Sequence, residues 1–126
     1  MRYFAALVVW SVIASSSVSA AAMNCKNPEY ADFGPCNAEA LKRDEAKLTA
    51  AWKRAVASVG GTETSVGTDL LVEQKAWYQF KQKACAYYYN QEYYGRDGIV
   101  IGYPTCMMGV IRQRIKFLND FSDGSM

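Results

Sequence analysis

Apolar positions recur with a helical period in three separate stretches of the chain. In the first, Leu41, Leu48, Ala51, Trp52, Ala55, Val56 and Val59 share one face. Asn37 precedes them at an N-cap position, and Glu39 brings negative charge to the first turn, where it suits the helix dipole. The pair Gly60-Gly61 is a stop signal, so the pattern predicts helix one over about 37–59. A short polar connector reaches Gly67, and its length makes the next helix an antiparallel neighbour. Thr68 and Asp69 then open helix two, whose stripe is Leu70, Trp77, Ala84 and Tyr88, widened by Phe80. This helix is expected to run through Cys85 at least to Tyr89 and to stop by Gly95. Ile99-Val100-Ile101 is an apolar run between glycines with no second strand to pair with, so residues 96–104 read as a packed loop. Thr105 caps helix three, with Met107, Ile111 and Leu118 broadened by Ile115 and Phe121, and the tail from Ser122 is expected to fray.

Each stripe is interrupted by an ionisable residue: Asp44 in helix one, Lys81 in helix two and Arg114 in helix three. Gln74 also points into the helix-two stripe. Unpaired burial of such groups costs several kcal/mol, roughly, so they require partners. The simplest arrangement is one structural polar network in which Asp44 meets both Lys81 and Arg114, with Gln74 as a further hydrogen-bond partner. Such a network fixes helix register more reliably than it adds stability. The alternatives are a small anion- or carbohydrate-binding cleft lined by the same residues, or long basic stems that snorkel to solvent.

The segment before helix one changes the compartment. Arg2, an apolar run from Tyr3 to Ile13 and the small residues from Ser15 to Ala22 have the form of a signal peptide over 1–22, with cleavage after Ala20 or Ala22. The apolar run is too short for the roughly twenty residues that a membrane span needs. Residues 23–126 are then a single domain, which opens on a Pro-, Gly- and Asn-rich segment from Asn24 to Cys36. All four cysteines, Cys25, Cys36, Cys85 and Cys106, lie in this exported part. An even count in a small secreted domain reads as two disulfides. Three connectivities exist, and the local pairing of Cys25 with Cys36 and Cys85 with Cys106 is preferred; each closed loop stabilises by about 3 kcal/mol.

The chain has 14 basic and 12 acidic residues, and Arg2 falls in the leader, so the mature charge is about +1. That is no nucleic-acid footprint. There is no histidine, which excludes Ser-His and Cys-His nucleophile pairs and any imidazole metal ligand. No Asp/Glu pair stands apart from helix faces and caps, so no enzyme, catalytic residue, metal or cofactor is expected. The densest aromatic stretch is Tyr87, Tyr88, Tyr89, Tyr93 and Tyr94, followed by Arg96 and Tyr103. One helical face buries only some of these rings. The rest either pack over the Ile99-Val100-Ile101 segment or present a binding surface for a protein or a sugar.

With these landmarks in place, the chain resembles the lysozyme inhibitor LprI-like family over about Cys25 to Leu118. The likeness rests on Cys25 and Cys36 ahead of helix one, on Asp44 with Leu48, and on Trp52 where the family usually has Tyr. It continues through Gln74-x-x-Trp77, Cys85, and Cys106 followed by Arg114-x-x-x-Leu118. Lys81 stands where the family typically has Arg, which exchanges a bidentate fork for a point charge. The resemblance implies an exported, non-enzymatic, disulfide-containing helical domain whose partner is a lysozyme or another muramidase. The alternative partner is the cell-wall glycan, bound by an accessory or structural envelope module. The expectation is therefore an all-α, three-helix antiparallel bundle with two disulfides, periplasmic or secreted, with no nucleic-acid partner and no membrane span after leader removal.

Overall fold

The computed structural model describes Cys25 and residues 33–126. Residues 1–22, expected to be a signal peptide, and most of the segment between Cys25 and Cys36 lie outside the described residues. Within them the fold is all-α. Three long helices, α1 (Phe33–Ser58), α2 (Ser65–Ala84) and α4 (Tyr103–Asp123), are supplemented by a short α3 (Gln91–Asp97). A 3₁₀ turn over Ala86–Tyr89 and a π-helical turn over Gly98–Gly102 complete the path from α2 to α4.

The chain runs up, down and up. Asn37 meets Val100, Asp44 meets Arg112 and Arg54 meets Asn119, so α1 and α4 are parallel to each other. Arg114 reaches back to Glu73 and Gln74 while Cys106 joins Cys85, which sets α2 antiparallel to α4. The core is Leu48, Ala51 and Ala55 of α1, Leu70 of α2, Cys85, and Met107, Ile111 and Leu118 of α4. Ala51 and Ala55 are fully buried and, lacking bulk beyond Cβ, let α1 approach α4 closely. Leu48 and Ile111, also buried, fill the space beside them.

Several boundaries differ from the sequence expectation. α1 begins at Phe33, not Asn37, because Pro35 and Cys36 suit a first turn in which backbone N–H groups are unpaired anyway. Asn37 is therefore inside the helix and not its cap; its Nδ2 donates to the Val100 carbonyl at 2.9 Å. α2 is capped by Thr64, whose hydroxyl accepts from Gly67 N at 3.0 Å, not by Thr68. The turn before it is so tight that a Cβ on Gly67 would lie 1.9 Å from the Gly61 carbonyl oxygen. Phe80 does not widen the buried stripe of α2; it is 58 % exposed.

After Ala84 the α-helix gives way at Cys85, and Asn90 starts α3 by accepting from Tyr93 N. Gly95 does not end that helix but kinks it, with φ 60° and ψ −156°. Residues 98–102 are helical rather than a loop, and α4 starts at Tyr103 with Pro104 in its first turn, ahead of Thr105. The chain stays helical to Asp123, where Gly124 closes the end in a left-handed conformation.

Both local disulfides are present. Cys25–Cys36 and Cys85–Cys106 have Cα separations of 5.6 Å and 6.0 Å, within the ordinary range for a bridge.

Candidate functional site

The short elements between α2 and α4 hold the tyrosines. Tyr88 is the ring on which the others assemble: it lies 4.6 Å from Tyr87 and 4.9 Å from Tyr94, and Tyr94 in turn meets Tyr93 at 4.7 Å. Glycine makes room for it. A Cβ on Gly102 would fall 2.3 Å from the Tyr88 ring, and one on Gly98 would fall 2.4 Å from the Tyr88 carbonyl oxygen. The π-helical turn therefore offers bare backbone to the ring, and Tyr88 is half-buried against it. Tyr87, Tyr89 and Tyr93 stay exposed, Tyr93 most of all at 79 %.

Tyr89 pairs separately with Tyr103 at 4.7 Å, and no ring contact joins this pair to the four-ring group among the described residues. The Tyr103 phenol is held above the ordinary range by burial first, then by Tyr89 and Glu45. Arg96, at the end of α3, is exposed beside this region in sequence and forms no ion pair among the described residues. The tyrosine stretch thus divides between packing, through Tyr88 and Tyr103, and an exposed aromatic ledge. The Cys85–Cys106 bridge ties the ledge to α4, and the Tyr87 hydroxyl lies 3.8 Å from Cys106 Sγ.

The ionisable residues on the helix stripes do not form the single network expected of them. Asp44 is buried, but its Oδ2 accepts from Arg112 Nε at 2.7 Å rather than from Lys81 or Arg114. Lys81 pairs instead with Glu45 and lies 5.4 Å from the Tyr78 ring centre. Arg114 is bidentate to Glu73, with Nη1 to Oε1 at 2.6 Å and Nη2 to Oε2. Its Nε also donates to Gln74 Oε1 at 2.9 Å, and its guanidinium sits between Trp77 at 5.4 Å and Phe117 at 4.8 Å. Of the four residues, the structure joins only Gln74 and Arg114.

The correction has a geometric reason. A helical wheel tells which face a residue takes but not how far a long side chain travels along the partner helix. The three acceptors or donors missed, Glu45, Glu73 and Arg112, each border the core face and reach it from the rim. The signal available was their sequence position: Glu45 follows Asp44 and Glu73 precedes Gln74.

Two grooves flank α2. One, about 240 Å³, lies between α1 and α2 and is lined by Leu48, Thr49, Trp52, Leu71, Gln74, Lys75 and Tyr78. The other, about 310 Å³, lies between α2 and α4 and includes Trp77, Phe80, Arg114 and Phe117. Among the described residues there is no cluster of metal-ligating side chains, and no helix is long and apolar enough to cross a membrane.

These features define a small helical domain stapled by two disulfides, with exposed aromatic rings on its inter-helix turns. Residues 22–118 match the family described as Lysozyme inhibitor LprI, and the chain belongs to that family. No curated protein and no solved structure matches it.

Proposed function

We propose that this chain is an exported, non-enzymatic binding protein that engages a lysozyme or a related muramidase through its tyrosine ledge. The observation that carries this reading is the ledge itself: Tyr87, Tyr89 and Tyr93 are exposed on a segment immobilised by a disulfide and by a glycine-seated Tyr88. Rings held in place lose little side-chain entropy on binding and offer broad area with a polar tip, which is the composition of interface hot spots. Arg96 adds an exposed cation on the same segment, with no ion pair among the described residues. On this reading Tyr87, Tyr88, Tyr89, Tyr93, Tyr94, Arg96 and Tyr103 form or support the contact, and the exposed rings enter the sugar cleft of the enzyme. Membership of the family supports the target class. The leader over 1–22 and the two disulfides support export to the periplasm or beyond it.

A turbidity assay on cell walls treated with lysozyme tests the proposal. Correctly bridged protein is expected to slow clearing, and the variant Tyr87→Ala with Tyr93→Ala is expected to lose that protection. Undiminished lysis at a large excess of the folded protein would dismiss it. A second reading, an envelope accessory module that binds the wall glycan itself, is favoured by charge. A mature charge of about +1 offers a strongly basic enzyme no electrostatic attraction. Retention on purified peptidoglycan without muramidase binding would select that alternative.

A further inference from the structure

Gln74 lines the groove between α1 and α2 and carries a hydrogen-bond donor for which no acceptor is found among the described residues. Gln74 is only 4 % exposed, and its Oε1 accepts from Arg114 Nε at 2.9 Å and from Nη2 at 2.5 Å. A guanidinium only donates, so the amide oxygen has to face Arg114. Turning the amide over would set its NH₂ against a cation. Arg114 is itself fixed by Glu73 and by the rings of Trp77 and Phe117, so the orientation of Gln74 is decided from behind. The Gln74 Nε2 group then points away from Arg114. No group among the described residues accepts from it, yet no fully buried polar side-chain atom among them lacks a partner, so the nitrogen is not fully buried. Of Gln74 and Arg114, only Gln74 lines the groove between α1 and α2.

We propose that this groove is a binding site for an acetamido sugar, a 2-N-acetylated hexosamine. The acetamido carbonyl accepts from Gln74 Nε2, and its methyl group lies against Leu48 and Leu71. The cavity, about 240 Å³, has room for one such ring with its acetamido arm. Trp52 and Tyr78 provide aromatic surface for the C–H face of the sugar. At the rim, Lys75 donates, and Thr49 can accept because its hydroxyl proton is committed to the Glu45 carbonyl at 3.1 Å. Mostly apolar walls with a few placed polar groups are the usual makeup of a small-ligand pocket. A purely apolar ligand leaves the Gln74 donor unpaired, a 2-ammonium group has no lone pair to accept from it, and a plain 2-hydroxyl accepts but brings no methyl group to the apolar wall. The site shares no residue with the tyrosine ledge and does not rest on the muramidase reading.

The test follows the Trp indole and Gln side-chain resonances of the wild-type protein during titration with N-acetylglucosamine, glucosamine and glucose. Saturable shifts are expected with N-acetylglucosamine, and binding of the other two is expected to be at least about tenfold weaker, because glucosamine turns an ammonium toward the Gln74 donor and glucose lacks the methyl contact. Gln74→Glu keeps an oxygen for Arg114 but replaces the donor by an acceptor, so it is expected to lose binding by a similar factor. Thr49→Arg, made at an exposed position, blocks the groove from its rim and serves if Gln74→Glu fails to fold. Co-sedimentation with insoluble peptidoglycan then separates the two sources of the sugar: retention assigns the wall polymer, and binding of the soluble sugar alone assigns a free amino sugar. Equal response to glucose and N-acetylglucosamine, no saturable response at millimolar sugar, or shifts indifferent to both variants would overturn the proposal.

Discussion

Helix α4 meets α1 mainly through apolar side chains, with one ion pair beside them, and meets α2 through ions, rings and a disulfide. Against α1 the surface is Ala51, Ala55 and Leu48 beside Ile111 and Leu118, all buried, flanked by two polar contacts, buried Asp44 to Arg112 and exposed Arg54 to Asn119. Against α2 the contact is the Arg114 guanidinium between Trp77 and Phe117, its bonds to Glu73 and Gln74, and the Cys85–Cys106 bridge. The first interface is close and continuous. The second holds its helix at discrete points, and a groove opens on each side of α2. An interface of alanines has no room to offer a ligand, whereas one built from long polar side chains leaves gaps between its anchors.

Breaking the anchors tests the difference most severely. Replacing Cys85 and Cys106 together by Ser is expected to destabilise the fold by about 3 kcal/mol through the entropy of the unfolded chain. Urea denaturation measures it, and loss of tyrosine near-ultraviolet dichroism should accompany it because the ledge depends on that bridge. Overfilling the close interface with Ala55→Leu is expected to cost about 2 kcal/mol, since a fully buried Cβ site against α4 cannot take a larger side chain without moving the helix. The matching enlargement on the groove side, Thr49→Leu, should cost less than half as much by the same denaturation measurement.

Asp44→Asn should cost only about 1 kcal/mol, because Arg112 is largely exposed and water can replace the lost partner. The smallest effect concerns pH. The Tyr103 phenol is raised by burial, Tyr89 and Glu45, so the folded state holds the proton more tightly than the unfolded chain does. Its contribution is therefore complete below the unfolded value of 10.0 and declines as pH rises above it. Tyr103→Phe should flatten the fall of melting temperature as pH rises above 10.0.

The long helices could be read from the chain because their evidence is local. Leu48, Ala51 and Ala55 repeat on one face, and Gly60-Gly61 ends the run whatever surrounds it. The local pairing of the cysteines was legible for a similar reason, since bridging Cys25 with Cys36 and Cys85 with Cys106 closes short loops. The segment from Ala86 to Gly102 was not. Its tyrosines and glycines have weak individual preferences, and its 3₁₀, α and π turns exist because Tyr88 seats on Gly98 and Gly102, a contact between separate stretches. The exposure of Phe80 was likewise hidden, because an apolar residue at the margin of a stripe turns in or out according to the position of the neighbouring helix.

By itself the sequence determined three amphipathic helices, their order, their polar interruptions and the cysteines that staple them. Each of these follows from residue type and spacing along one element. Tertiary structure alone decided which charge meets which: Asp44 with Arg112, Lys81 with Glu45, and Arg114 with Glu73 and Gln74. It also decided that Gln74, buried against Arg114, lines the groove between α1 and α2. The physical reason is reach, for a partner is chosen by the separation and tilt of two helices and by the length of the side chains between them, and neither quantity is written in either helix alone.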